Sequence, residues 1–479
     1  MVAELDSPQR RAPRTATRTL RDIPGPRGLP IVGNALQLEL TRVHQVFEEW
    51  VREYGPLVRY RVAGRNALLV ADAALADPIL RARPGSLRRA NVERVFEEMG
   101  LAGVFSAEGA AWRPQRKLAM EALSLKNTRA FFPTLRIVAE RLHGRLARSA
   151  DGRVLDITDD LMRFTVDVTT TLAFGEDMNT LEDRGDVLQT HLAHVFPMIA
   201  RRTFAVVPYW RYVRLPRDRR FDRAMRKIHR VAERMIASTR TRLTERSSDA
   251  PAKNFLEAMV LARDENGQPF TNETIIGNTL TMLLAGEDTT AHSLAWALHL
   301  LCERPDVVAR AREEIDAALG DARTPPDFEA AARLPYVEGI AHESMRLRPV
   351  APIIPLEAIE DMVVGDVAVP RGTWLSIVSR ALATDERNFD DPTAFRPERW
   401  VGETTGAHVA TASIPFGSGP RACPGRTLAL VEMRVVLATI LKSFDVERVG
   451  RASDVRELFA FAMTPLGLRL RLRPRATAD

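Results

Sequence analysis

The stretch IIGNTLTMLLAGEDTTAHSLAWALHLLCE, Ile275 to Glu303, is the longest nearly apolar run in the chain, and it constrains the fold more than any other feature. A helix of that length can span a bilayer. Glu287 and Asp288 fall at its centre, however, where unpaired charges are costly in lipid. The run therefore reads as a long helix buried inside a water-soluble protein, with no membrane span.

A helix buried along its length needs a large core, and the chain has the means: 479 residues, 45% of them apolar. Length alone allows about three domains. No internal repeat or long linker divides the sequence, so the reading is a disordered tail at residues 1–22 and one unit at residues 23–479. The tail is polar and lacks an apolar h-region, which excludes a secretory signal. It is rich in arginine, but Glu4, Asp6 and its prolines argue against a mitochondrial presequence. The net charge is +6, with acids interspersed among the bases. No basic block or aromatic–basic interleaving points to nucleic acid. Cys302 and Cys423 are the only cysteines, too few for a disulfide framework. A reducing, cytoplasmic location is expected.

Periodicity places the remaining elements. IPGPRGLPIVGN (Ile23–Asn34) is broken by proline and glycine and excludes a helix interior. LVRYRV and NALLVA, joined across Ala63–Arg65, read as a hairpin. From about residue 110 to 345, apolar residues recur at spacings of three and four, as in helices. RPDVVARAREEIDAALG has proline near its start and Gly320 at its end. DMVVGDVAVPRGTWLSIVS reads as strands around a Gly365-Asp366 turn, and FAFAMTPLGLRLRLRP alternates like a further strand pair. The fold class is mainly α with a small β portion.

Cys423 stands in PFGSGPRACPGRTLA, dense in glycine, with no second cysteine nearby for a zinc cluster or a redox pair. A single thiolate beside an open plane suits an axial ligand to haem iron. Flanking glycines let the backbone pass close to a flat ring and free N–H groups to point at the sulfur. The helical pattern RTLALVEMRVVLATILKSF starts just after Gly425, so its positive end would favour the thiolate. The alternative is a buried, inert cysteine.

FGSGPRACPG resembles the haem-thiolate loop of cytochromes P450 at every fixed position: Phe416, Gly419, Arg421, Cys423 and Gly425. Glu343 and Arg346 in HESMR resemble the family's Glu-x-x-Arg pair, and Arg399 in FRPERW its third member. AGEDTT (Ala285–Thr290) resembles the oxygen-activation motif, and WRPQR the Trp-x-x-x-Arg of the helix that contacts haem propionates. The motifs stand in family order over residues 23–473. The resemblance implies the cytochrome P450 fold, with heme b (iron protoporphyrin IX) between the long central helix and the cysteine-loop helix. Cys423 would ligate iron, and Trp112, Arg116 and Arg421 would hold propionates. Phe416 would shield the sulfur side of the ring, and Gly286, beside Ala285, would leave room for dioxygen. Asp288 and Thr289 would deliver protons. The analogous pocket would be lined by Phe96, Val350, Ile353, Ile354 and Met463.

The resemblance further implies a monomeric monooxygenase that puts one oxygen atom of dioxygen into a hydrophobic substrate such as a terpenoid, steroid, fatty acid or polyketide. Electrons would come from a separate ferredoxin or flavodoxin with an NAD(P)H-dependent reductase, docking near Arg113–Lys117. Two departures stand out. Relatives often carry a propionate-binding base on the strand after the Glu-x-x-Arg helix, but none lies between Val350 and Ala358. ALATDERNF stands where a His-Arg-Asp triplet is frequent. A peroxide-using haem enzyme and a haem-based sensor are the competing readings. The Asp288-Thr289 pair weighs against the first, and the lack of a DNA-binding or signalling module against the second. His191 and His194 have helical metal-ligand spacing without an acidic third ligand, and Cys302 reads as a core residue.

Overall fold

The computed structural model describes residues 16–90, 92–182, 195–203, 205, 208–246, 252–264, 266–402, 408–460 and 462–475. His191 and His194 lie outside the described residues.

The long apolar run is a helix, Asn272–Leu301. Its start is set by Thr271, whose hydroxyl accepts from the Thr274 N–H at 3.2 Å. The helix is buried on several faces because helices Ile157–Phe174, Pro335–Leu347 and Arg426–Ser443 all pack on it. One large core joins these helices through Phe164, Leu294, Leu298, Ile340 and Val435. A second core joins the central helix to helices Pro216–Thr244 and Phe255–Leu261 through Leu280, Ile228 and Phe255. Among the described residues, no helix is long and apolar enough to cross a membrane.

The β portion draws strands from both ends of the chain. Leu57–Val62 and Arg65–Val70 form the expected hairpin, with Ala63 and Gly64 both at positive φ in the turn. Trp374–Val378 then pairs in parallel with the second hairpin strand, Ile353–Ala358 lies antiparallel beside it, and Leu87–Arg89 forms the edge. Arg89 thus pairs with Leu356. Met362–Val364 and Val367–Val369 turn at Gly365, whose φ is 64°.

Two expectations are corrected. The C-terminal strands do not pair with each other. Met463–Leu466 pairs with Arg456–Phe459, whereas Leu470–Pro474 pairs with Phe444–Arg448 and Val154–Leu155. The alternation in the sequence was real, but it carries no information on partners. Residues 18–22, expected to lie in a disordered tail, are ordered instead. Arg18–Thr19 pairs in parallel with Val367–Ala368, and the Arg18 guanidinium grips Asp366 at 2.7 and 2.8 Å. A turn at Leu20–Asp22 follows, capped by Thr19.

Candidate active site

Cys423 sits two residues before the N-cap, Gly425, of helix Arg426–Ser443. Its N–H donates to the Phe416 carbonyl at 2.8 Å, which closes the loop. Gly417 and Gly419 have φ of 68° and 71°. A side chain at Gly419 would also come within 2.7 Å of the Leu80 carbonyl, so glycine is required there twice over. Burial pushes the Cys423 thiol up. The N–H groups of Gly425 and Arg426 and the guanidiniums of Arg116 and Arg89 oppose this. Cys423 is nevertheless exposed. A metal ion there would take the sulfur as thiolate.

Four guanidiniums gather beside this loop. Arg421 is buried over the Trp112 ring at 4.4 Å, paired with Glu108 and donating to the Ala107 carbonyl at 2.8 Å. Its Nη1 has no hydrogen-bond partner. Arg116 donates to the Ala422 carbonyl at 2.6 Å. Arg83 and Arg89 were not anticipated from the sequence. Burial, with nearby guanidiniums, pushes Arg83 down to about 10 and Arg89 down to about 9. Glu108 is the carboxylate that acts on Arg83, Arg89 and Arg421 alike. An excess of buried positive charge with an orphaned donor calls for an anionic ligand. The strand Ile353–Ala358 lacks the expected base, and Arg89 stands on the neighbouring strand, opposite Leu356. The only sequence signal was the gap itself, because pairing between residues this far apart is not written locally.

On the central helix, Ala285 is exposed and Gly286 and Thr289 are partly so, between buried Leu284 and buried Thr290. The Thr289 hydroxyl donates to the Ala285 carbonyl at 2.7 Å, which leaves its oxygen as an acceptor. Asp288 is 8% exposed and makes no hydrogen bond with a described residue, and burial pushes its carboxyl up to about 7. Glu432 was also missed. It is buried on the cysteine helix against the Thr290 hydroxyl, and burial pushes it up to about 8.

Gly286 has a different neighbour from the one expected of a residue that leaves room for dioxygen. A Cβ built there would stand 2.3 Å from Cγ2 of Thr169, on helix Ile157–Phe174. One turn earlier on that helix, the Thr165 hydroxyl lies 3.0 Å from the Glu287 carbonyl. Gly286 therefore permits close helix packing. Gly286→Ala should displace the central helix and disturb the haem spectrum. Adding Thr169→Ser removes Cγ2 and leaves Thr169 Cβ, at 3.5 Å, as the next atom. The double variant should regain the wild-type spectrum and thermal midpoint. A double variant as defective as Gly286→Ala alone would contradict the packing role.

Glu343 and Arg346 form a bidentate pair at 2.8 Å for both bonds, and both are fully buried. Glu343 also accepts from Arg399 at 3.3 Å, the Trp400 indole at 2.9 Å and the Arg396 N–H at 2.9 Å. Arg346 donates onward to the carbonyls of Ala383, Pro392 and Ala394. The pair thus ties helix Pro335–Leu347 to the irregular segment that leads to the cysteine loop.

The expected pocket residues are placed unevenly. Phe96 is buried against Phe105, with ring centroids 5.3 Å apart. Val350 and Ile354 are half-buried. Ile353 is buried in a core with Val58, Val378 and Phe459. Met463 is buried with its sulfur 3.9 Å from Arg380. Cys302 packs against the main core, and burial pushes its thiol up to about 11. In WRPQRK, Arg113 and Lys117 are exposed while Arg116 turns inward.

An accessible thiol with N–H groups aimed at it, beside clustered guanidiniums, fits a haem-thiolate protein: iron on sulfur, carboxylates on arginines. A family model described as Cytochrome P450 matches residues 23–472. The chain belongs to the cytochrome P450 family, is a monooxygenase of that family and has haem as its cofactor. It is 26% identical over 461 residues to "Cytochrome P450 27C1" of Danio rerio, covering 91% of this chain and 84% of that protein. It is 27% identical over 470 residues to "25-hydroxyvitamin D-1 alpha hydroxylase, mitochondrial" of Mus musculus, covering 95% and 92%. It is 26% identical to the "Self-sufficient cytochrome P450 monooxygenase CYP505E4" of Penicillium expansum, covering 95% of this chain but only 43% of that protein. The solved cytochrome P450DA heme domain has the same fold, with a TM-score of 0.84 at 24% identity, covering 97% of this chain and 99% of that one.

Proposed function

We propose that the chain inserts one oxygen atom of dioxygen into a hydrophobic substrate, with Asp288 and Thr289 handling the protons. The bound haem would supply the reductive activation of dioxygen. Cys423 would hold its iron through the sulfur, and Gly425 and Arg426 would temper the sulfur's electron donation through their N–H groups. Arg116, Arg421 and Trp112 would hold the propionates, and we add Arg83 and Arg89 to that set. Phe416 would cover the sulfur side. Glu343, Arg346 and Arg399 would hold the loop in place. We read residues 23–479 as one catalytic unit.

The observation that carries the proton role is the adjacency of Asp288 and Thr289. A carboxyl that makes no hydrogen bond with a described residue, kept protonated to about 7, directly precedes in the helix a residue whose hydroxyl proton is committed to Ala285. Asp288 can therefore give a proton, and Thr289 can accept a hydrogen bond and hold the receiving group in place. Thr289→Ala should keep folding and haem content, since alanine is the better helix former. NAD(P)H consumption should continue while product per NAD(P)H falls and hydrogen peroxide rises. General acid–base contributions reach about 10²–10⁴-fold, with solvent water replacing part of this. Equal coupling in wild type and variant would refute the role.

Asp288 also sets a pH dependence. Above a pH of about 7 it loses the proton it must give, so product per NAD(P)H should decline as pH rises through that value. Asp288→Asn should flatten this limb at a lower plateau. The same decline in the variant would assign the limb to another group.

A terpenoid, steroid, fatty acid or polyketide suits the apolar and aromatic residues of the second core, among them Phe96, Phe105, Met198 and Trp210. One relative bears the name of a 25-hydroxyvitamin D hydroxylase, which keeps polycyclic lipids in this set. We assign electron supply to a ferredoxin or flavodoxin, attracted by the exposed Arg113 and Lys117 on the helix that carries Arg116. The reading keeps the chain a monomer in a reducing cytoplasm, which two free cysteines suit.

A further inference from the structure

We propose that Glu108 is a positioning residue for the haem carboxylates: it holds Arg421 by one edge so that the other edge faces the ligand, and it trims the positive charge around the bound haem. This rests on Arg421 and its neighbours holding the propionates. Glu108 stands just before the turn Gly109–Ala111, which opens into helix Trp112–Ala122. Its side chain is 13% exposed, and its two carboxylate oxygens have different partners. One pairs with Nη2 of Arg421, and the other accepts from the Arg89 N–H at 3.3 Å. Nη2 of Arg421 also donates to the Ala107 carbonyl at 2.8 Å, so that nitrogen is committed to two successive residues. The Trp112 ring lies under the same guanidinium, 4.4 Å away. A guanidinium is planar and rigid, so fixing one nitrogen and one face aims the rest. What remains is Nη1, buried and with no hydrogen-bond partner among the described residues. A buried donor left unmatched is costly, and a ligand carboxylate supplies the missing acceptor.

Charge points the same way. Arg83, Arg89 and Arg421 repel one another, and Arg116 acts on Arg421 as well. Two carboxylates act on this cluster. Glu108 acts on Arg83, Arg89 and Arg421, while half-buried Glu93 acts on Arg421 more weakly. Four guanidiniums against two acids leave two positive charges, which the two carboxylates of haem would match. Without the charge on Glu108 the balance would turn positive. A positive surrounding favours ferrous over ferric iron, because the ferric form carries one more positive charge. Glu108 thus restrains the reduction potential of the bound haem while it aims Arg421. A purely structural tie between the strand Leu87–Arg89 and the cysteine loop would do neither.

The test uses haem-loaded full-length protein and two readouts: the rate of haem release to excess apomyoglobin, and the midpoint potential from a reductive titration. Glu108→Gln keeps an oxygen that can accept from Arg421 but loses the charge. Glu108→Leu loses both. Glu108→Leu should release haem at least about fivefold faster than wild type, because Arg421 is no longer aimed. Glu108→Gln should release haem within about threefold of wild type, yet its reduction equilibrium should shift at least about threefold toward the ferrous form. Both should keep the thiolate-type ferrous–CO band, since neither touches the Cys423 N–H bond to Phe416. Wild-type release from Glu108→Leu, or an unchanged potential in Glu108→Gln, would overturn the proposal. Should Glu108→Leu fail to accumulate, the potential of Glu108→Gln still decides. Arg421→Ala checks the premise separately and should release haem at least about tenfold faster. Wild-type release from Arg421→Ala would remove that arginine from the propionate site, and the role of Glu108 with it.

Discussion

Cys423→Ala protein should show no ferrous–CO absorption band of the thiolate-ligated type. Cys302, the other cysteine, cannot substitute. It caps the far end of the central helix, with its sulfur 4.0 Å from the Val446 carbonyl. The fold should persist in part, since the Cys423 N–H bond to Phe416 and the glycine turns do not involve the sulfur. Haem retained through the arginine cluster alone would give an altered spectrum and no NAD(P)H-driven product. A thiolate-type band in this variant would mean that the ligand has been misassigned.

Glu343→Ala should be the most damaging substitution outside the cysteine loop. Glu343 is fully buried and collects four donors: Arg346, Arg399, the Trp400 indole and the Arg396 N–H. Removing it leaves Arg346, itself buried, without its carboxylate, at a cost of about 3–5 kcal/mol. Because Arg346 also holds Ala383, Pro392 and Ala394, the segment before the cysteine loop should loosen with it. The expected result is a small yield of soluble protein with little haem. Arg399→Ala should be milder, because that bond is longer, at 3.3 Å, and the side chain lies nearer the surface. Soluble, fully haem-loaded Glu343→Ala protein would show that the cluster does not hold the loop.

What could be read from the sequence was what is encoded locally. The central helix, the hairpin at Ala63–Gly64, the Gly365 turn and the cysteine loop each carry their own signal within a few residues. What could not be read depends on distant pairing. The C-terminal strands alternate correctly but find separate partners. Arg89 reaches the cysteine region only because its strand pairs with residues far along the chain. The packing of Gly286 gave no local signal, because Thr169, whose Cγ2 stands 2.3 Å from a Cβ built there, lies on another helix. Glu432 gave no signal, since a lone acid in a helical pattern usually faces water, and only packing shows it buried against Thr290.

We propose that this haem-thiolate chain puts one atom of dioxygen into an apolar compound. The most direct test is turnover under isotopically labelled dioxygen, with a surrogate ferredoxin, its reductase, NAD(P)H and a panel of fatty acids, steroids and terpenoids. The expected outcome is hydroxylated product carrying one labelled oxygen, with formation dependent on the electron donor. Product with unlabelled oxygen, or product formed only when peroxide is added, would contradict it.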